Sequence, residues 1–321
     1  MALDFVSYQD QPRPVWLWLD PTTRCNLECR LCYTKESHGK QDLDPEDLAF
    51  ALSRMADSPE VEVKTIHLNW RGEPLMNPRF SELLAVVRDI MPDVQLQWHT
   101  NATLLSEATV QSVMDVGFKH KIFVSIDGGD EESHDKNRGI GTFRRSMKGL
   151  RNLLGNEQRH GLVEVGLYQI DLGLPINQYD EEFVELLSRV DDHVCVKPLL
   201  PGGAEHELEH ITTLNSDSDL NRMMAEELNP KIPVPEAPCF WAGHVLCMGP
   251  DGDTWICIVS HGPKGVVGNL FSESPETVLG RARDFRQRLA DEGRSCVSHC
   301  SSCRKPAGDI AAKHITKKLV A

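Results

Sequence analysis

Cys25, Cys29 and Cys32 stand at C-x3-C-x2-C on a loop directly after an apolar run, VWLWLD at 15–20. Three thiolates on one short loop can bind three irons of a cubane iron–sulfur cluster and leave the fourth iron without a protein ligand. That vacancy is chemically useful. Zinc and buried structural thiols are the competing readings, although zinc normally takes four ligands and favours C-x2-C pairs. The chain has ten cysteines: these three, Cys195 alone, and six between 239 and 303. The N-terminus, MALDFVSYQDQPRP, lacks the basic start and apolar core of a secretory signal, so the protein is expected in the cytoplasm. In that reducing compartment, clustered cysteines point to metal or redox chemistry rather than to disulfides.

The elements that must position these thiols read as alternating strands and helices. Six β-rich runs, at 15–20, 63–70, 94–100, 121–127, 163–172 and 193–200, are interleaved with amphipathic stretches at 44–57, 77–90, 106–117 and 143–155. Asp44 is a good N-cap before Pro45 at the first helical position. Such alternation predicts parallel βα units in an α/β fold, with the chemistry at the C-terminal ends of the strands. From 201 to 236 the pattern breaks into Gly-, Glu- and Pro-rich sequence, read as a linker. Beyond it, HVLCMGPDGDTWICIV reads as a hairpin, and a last helix, SPETVLGRARDFRQRLADEG, precedes the final cysteines.

Composition narrows the partners. At 321 residues, 40% apolar and 26% charged, the chain has length for about two domains. No run reaches the roughly 18 apolar residues of a membrane helix. Thirty-four basic and 48 acidic residues leave a net charge of −14, which repels phosphate backbones and favours a cationic ligand. No nucleic acid and no membrane partner is therefore expected. Acidic groups gather after the fourth strand (Asp127, Asp130, Glu131, Glu132, Asp135) and after the sixth (Glu205, Glu207, Glu209), suggesting an acidic rim.

At the cysteine triad the chain resembles the radical S-adenosylmethionine (SAM) superfamily, whose signature is this motif after the first strand of a partial (βα)6 barrel. The resemblance implies a four-iron cluster whose open iron is chelated by SAM, which is cleaved reductively to methionine and a 5′-deoxyadenosyl radical. Other residues match in order along the chain. Gly72 and Glu73 in NWRGEP resemble the motif that receives the SAM amino group, with Arg71 replacing its more common first glycine. Asn101 in HTNATLL and Ser125 in FVSIDGG fit ribose or carboxylate contacts, and Arg138 in HDKNRGIGTF resembles the arginine that meets the SAM carboxylate. Tyr33 is a candidate adenine neighbour.

The second cysteine group is similar in spacing to the twitch and SPASM auxiliary-cluster domains: Cys239, then Gly252 and Cys257, then the C-x2-C pair Cys300 and Cys303. The resemblance implies one auxiliary four-iron cluster on Cys239, Cys257, Cys300 and Cys303, with Cys296 as an alternative to one of the last pair. Four thiolates would also cage zinc. The expected organisation is thus a barrel at 1–200, a linker at 201–236 and an auxiliary domain at 237–321, with two [4Fe-4S] clusters and SAM as cofactors and a flavodoxin or ferredoxin as reductant.

Cys247, in the first arm of the hairpin, has no place in this ligand set. Free thiols usually pack as small apolar groups. An S–H bond is also weak enough to quench a carbon radical, and delivery of that hydrogen to the opposite face would complete an inversion. The leading expectation is therefore an epimerase of a carbinol or amino-sugar carbon, similar to aminoglycoside-acting members of the superfamily such as neomycin C epimerase. A dehydrogenase of an aminocyclitol or amino sugar, similar to the 2-deoxy-scyllo-inosamine dehydrogenases, stands second. A peptide-modifying maturase stands third, since only 24 residues precede Cys25. Gln169, Asp171 and Lys197, at strand ends, are candidate substrate contacts or bases, Cys195 is expected to pack, and the histidines have no metal-like spacing.

Overall fold

The computed structural model describes residues 16–32, 34–196, 242, 245–258, 265–297 and 300–301. In chain order the elements are β1 (Trp16–Leu19), α1 (Pro45–Asp57), β2 (Thr65–Leu68), α2 (Phe80–Ile90), β3 (Gln95–Thr100), α3 (Glu107–Met114), β4 (His120–Ser125), α4 (Glu131–Arg138), α5 (Thr142–Gly155), β5 (Val163–Ile170), α6 (Glu181–Leu187), β6 (Asp192–Val196), β7 (Val245–Met248), β8 (Asp253–Trp255), β9 (Gly268–Asn269) and α7 (Pro275–Glu292). The described residues fall into two compact units. One holds 16–24, 37–96 and everything from 242 onward, and the other holds 25–36 and 97–196.

In the first unit β1 is flanked by β2 and β7, both parallel to it. β8 turns back antiparallel on β7, and β9 on β8. Strand alternation sends Leu17, Leu19, Ile66 and Leu68 to one face, where they are buried with Leu48 and Leu52 of α1 and Leu83 and Leu84 of α2 also in the core. Asp44 caps α1 as expected, its carboxylate accepting the Glu46 N–H at 3.0 Å. The expected hairpin forms at Gly252, whose φ of +82° suits glycine and whose missing side chain makes room for Phe271 and Asn269. Its first strand extends the parallel sheet beside β1.

In the second unit β4, β5 and β6 run parallel, with Val124 opposite Leu167 and Leu167 opposite His193. Ile122, Val124, Val165 and Leu167 are buried, as are Met147, Leu150 and Leu153 of α5 and Phe183 of α6. The six expected strands are all present, the sixth ending at Val196 because 197–200 lie outside the described residues. Two helices escaped the sequence reading. α4 contains no apolar residue, so it leaves no periodic trace, and α6 is seven residues long. Each begins at an aspartate that caps it, Asp130 and Asp180. Among the described residues no helix is long and apolar enough to cross a membrane.

Two histidines of this unit are buried and uncharged. His120 bonds the Phe118 carbonyl oxygen through Nδ1 at 2.8 Å, and His134 accepts the Asp127 N–H at 3.2 Å. Burial is the first cause that pulls both down from 6.5 to about 4. As pH falls from 6.5 towards 4, the unfolded chain binds protons that the folded chain refuses, so stability is lost with falling pH by about 1.4 kcal/mol per pH unit per histidine. His120→Gln is expected to remove one histidine's share of that slope when unfolding free energy is measured by denaturant titration from about pH 7 to about pH 5.

Candidate active site

In the second unit, Cys25, Cys29 and Cys32 are half-buried and in no disulfide. Leu27 and Leu31 of this loop are buried, and two side-chain amides fix its polar backbone. Asn101, at the end of β3, donates to Asn26 Oδ1 at 3.0 Å, and Asn26 donates to Thr103 Oγ1 at 2.8 Å. Asn101 Oδ1 also accepts from the Thr103 N–H and hydroxyl, at 2.9 and 2.6 Å, closing a ring of three polar residues beside Cys25. At the other end, buried Asn137 accepts the Leu31 N–H on Oδ1 at 3.0 Å and the Arg30 N–H on its backbone oxygen at 2.8 Å. Those two amides lie between Cys29 and Cys32, and the Cys32 N–H closes a turn on the Cys29 carbonyl at 3.2 Å.

Asn137 is fixed in turn by Asp127, which accepts from its Nδ2 at 2.6 Å and takes a two-point contact from Arg138 at 2.5 and 2.9 Å. Asp127 is fully buried, which alone would raise its pKa, yet the Arg138 charge and these hydrogen bonds hold it below the ordinary carboxylate range. Arg138 lies near enough to interact with the charges of Cys29 and Cys32. Burial pushes Cys29 up to about 11, with Arg138 pulling the other way. Among the described residues no three metal-ligating side chains already converge on one point. What fits an iron–sulfur cluster is the donor set: three thiols on one braced turn, beside a largely buried guanidinium that offsets thiolate charge.

Ser125 is half-buried at the end of β4, opposite Tyr168 of β5. Around Tyr168 lie His99, with ring centroids 4.8 Å apart, and Phe123 at 6.3 Å. The expected acidic rim after β4 is corrected at three of its five residues. Asp127 is consumed as described, Asp130 caps α4, and Asp135 accepts from the Phe143 N–H and the Thr142 hydroxyl. Gln169 is likewise no substrate contact, since it is fully buried and its amide meets Gly128, Tyr179 and His193. Asp171 caps its own turn at Gly173.

In the first unit, Gly72 sits against the β1 end so closely that a Cβ there would run into the carbonyl oxygens of Thr22 and Arg24. Glu73 is buried, donates its N–H to the Arg24 carbonyl at 2.9 Å and caps the following turn through Leu75. Arg71 and Asp20 form a buried ion pair at 2.6 Å. Burial raises Asp20 to about 6, with Arg71 the chief opposing influence.

Cys247 is fully buried on β7, in register with Trp18 of β1 on one side and Trp255 of β8 on the other. Trp18 in turn stacks on His67 of β2, 3.5 Å between centroids. Burial pushes the Cys247 thiol well above its usual range, and the charges of Cys257 and Asp20 push it the same way. Cys257, Cys296 and Cys300 are half-buried and in no disulfide, and Cys195 is buried. Cys239, Cys303, Tyr33, Lys197, Glu205, Glu207 and Glu209 lie outside the described residues. The sequence reading missed Asn137, Thr103, Asp20 and Trp255. Of these, Asp20 alone carried a visible signal, as an aspartate closing an apolar strand run.

The model of the Radical SAM superfamily matches residues 19–190, more than half of the chain. The pre-heme d1 synthase of Dinoroseobacter shibae is 31% identical over 56% of the chain, and the match spans only 41% of that protein. The mycofactocin maturase MftC of Mycolicibacterium smegmatis is 24% identical over 94% of the chain and 80% of its own length. Among solved structures, BtrN in complex with AdoMet and 2-DOIA superposes with a TM-score of 0.53 at 16% identity, covering 90% of this chain and 92% of that one, which establishes a shared fold.

Two substitutions test the scaffold. Gly72→Ala must displace backbone at the β1 end, and is expected to lower the melting temperature by several degrees, about 1–3 kcal/mol at the midpoint. Asn137→Ala strands the buried Leu31 N–H at a cost of about 1–3 kcal/mol and should speed loss of iron from reconstituted protein to a chelator.

Proposed function

The chain belongs to the Radical SAM superfamily, and on that premise we propose that it is an epimerase inverting a carbinol or amino-sugar carbon of a cationic, aminoglycoside-like small molecule. Cys25, Cys29 and Cys32 would hold a [4Fe-4S] cluster that, with SAM bound, would supply the means to remove a hydrogen atom from the reacting carbon. Gly72, Glu73, Asn101, Ser125 and Arg138 are proposed to hold SAM, and Cys239, Cys257, Cys300 and Cys303, with Cys296 as an alternative, an auxiliary cluster in a domain at 237–321. A flavodoxin or ferredoxin would be the reductant.

One observation carries this reading: Cys247 is a fully buried thiol with no place in either proposed ligand set, set between Trp18 and Trp255. Burial keeps its sulfur protonated, and only the protonated form has a hydrogen atom to give. Cys247 would then complete an inversion by returning hydrogen to the face opposite the one that lost it, and the thiyl radical left on its sulfur would take one electron from the flavodoxin or ferredoxin and one proton from solvent. The net charge of −14 supports a cationic substrate.

The second reading, a peptide-modifying maturase, is favoured by the identity to MftC over 94% of the chain. Product analysis separates the readings. In deuterated water an epimerase places a single deuterium at the inverted carbon, and Cys247→Ala still cleaves SAM but forms no inverted product. A carbonyl product without solvent label points to a dehydrogenase, and a modified peptide to a maturase. Either outcome removes the epimerase.

A further inference from the structure

Arg71 is an expensive residue to place where it is. A buried guanidinium forfeits its hydration, and only close partners offset the loss. Asp20 supplies one: its carboxylate takes Arg71 Nε at 2.6 Å and the Arg71 backbone N–H at 3.2 Å. Two indoles also face it, Trp70 and Trp255, whose ring centroids lie 4.7 and 5.2 Å from the guanidinium carbon. The hairpin turn makes room as well, since a Cβ on Gly249 would come within 2.6 Å of Arg71 Nη2. The side chain thus reaches from the end of β2, past Asp20 at the end of β1, to the β7–β8 hairpin.

That hairpin needs the support. β8 is three residues long and pairs with β7 at two positions, Cys247 with Trp255 and Met248 with Thr254. Asp20 adds its own N–H to the Met248 carbonyl at 3.0 Å. The Trp255 ring under the guanidinium therefore belongs to the residue directly opposite Cys247. We infer that Arg71 is a positioning residue for Cys247, clamping Trp255 and the Gly249 turn so that the thiol keeps one orientation on its face of the sheet. Its consequence for turnover rests on the inversion proposed above, and the clamp itself does not.

The test uses anaerobically purified, cluster-loaded enzyme. In Arg71→Met, amide hydrogen exchange followed by mass spectrometry should quicken about tenfold in peptides covering β7 and β8 while β4 and β5 stay unchanged. Solvent-labelled product per SAM cleaved should fall about fivefold, a ratio that a loss of folded protein would not move. Arg71→Lys keeps the charge for Asp20 but not the flat face against the indoles, and should shift both readouts the same way by less. If the methionine variant does not fold, the lysine variant decides alone. Unchanged hairpin exchange, an equal rise in β4 and β5, or a loosened hairpin with an unchanged product ratio each overturns the proposal. If the wild-type enzyme transfers no hydrogen from Cys247, the epimerase reading falls and the exchange contrast still decides the clamp.

Discussion

The buried contact between Asp127 and its two neighbours on α4 is the constraint on which the thiol loop depends. A carboxylate without water around it must find donors, and Asn137 and Arg138 supply them at distances of 2.5 to 2.9 Å. Once Asn137 is held this way, its remaining oxygens face the loop and take up the amides of Arg30 and Leu31. The shape of the segment between Cys29 and Cys32 is thus dictated by a charge at the end of a strand, through a single amide side chain. Removing the carboxylate would leave a guanidinium and an amide unsatisfied together, which is why such groups act as a unit.

The first unit uses the same device with different parts. Asp20 closes β1 as Asp127 follows β4, and each carries an arginine within hydrogen-bonding distance. Their electrostatics differ in outcome. Asp127 gathers enough donors to stay below the ordinary range, whereas burial wins at Asp20 and lifts it to about 6. The difference lies in the environment. Arg71 divides itself between a carboxylate and two indole faces, while Arg138 meets Asp127 at two points and Asn137 reinforces it.

Much of this architecture was legible in the chain. The six strands, the Asp44 cap and the hairpin at Gly252 follow from local rules that act within a few residues: alternation, capping and positive φ. α4 was not legible, because a helix made of Glu, Ser, His, Asp, Lys, Asn and Arg earns its place through long-range polar contacts rather than an apolar stripe. The same limit hid the fate of the acidic residues after β4. As sequence they form a charged run; in space one is a buried hub, one a cap and one an anchor for the next helix. The thiol triad was legible as chemistry, but its bracing by Asn101 and Asn137 joins residues 75 and more than a hundred positions apart.

The parallel pairing of β7 with β1 bears on how the molecule could be dissected. All four residues of β1 have a partner on that strand, contributed by the far end of the chain. A fragment ending before residue 245 would therefore carry Trp16, Leu17, Trp18 and Leu19 on a naked sheet margin, with unpaired amides beside large apolar side chains. Such a margin recruits other copies edge to edge, so the N-terminal portion taken by itself is a recipe for aggregation rather than a minimal catalyst.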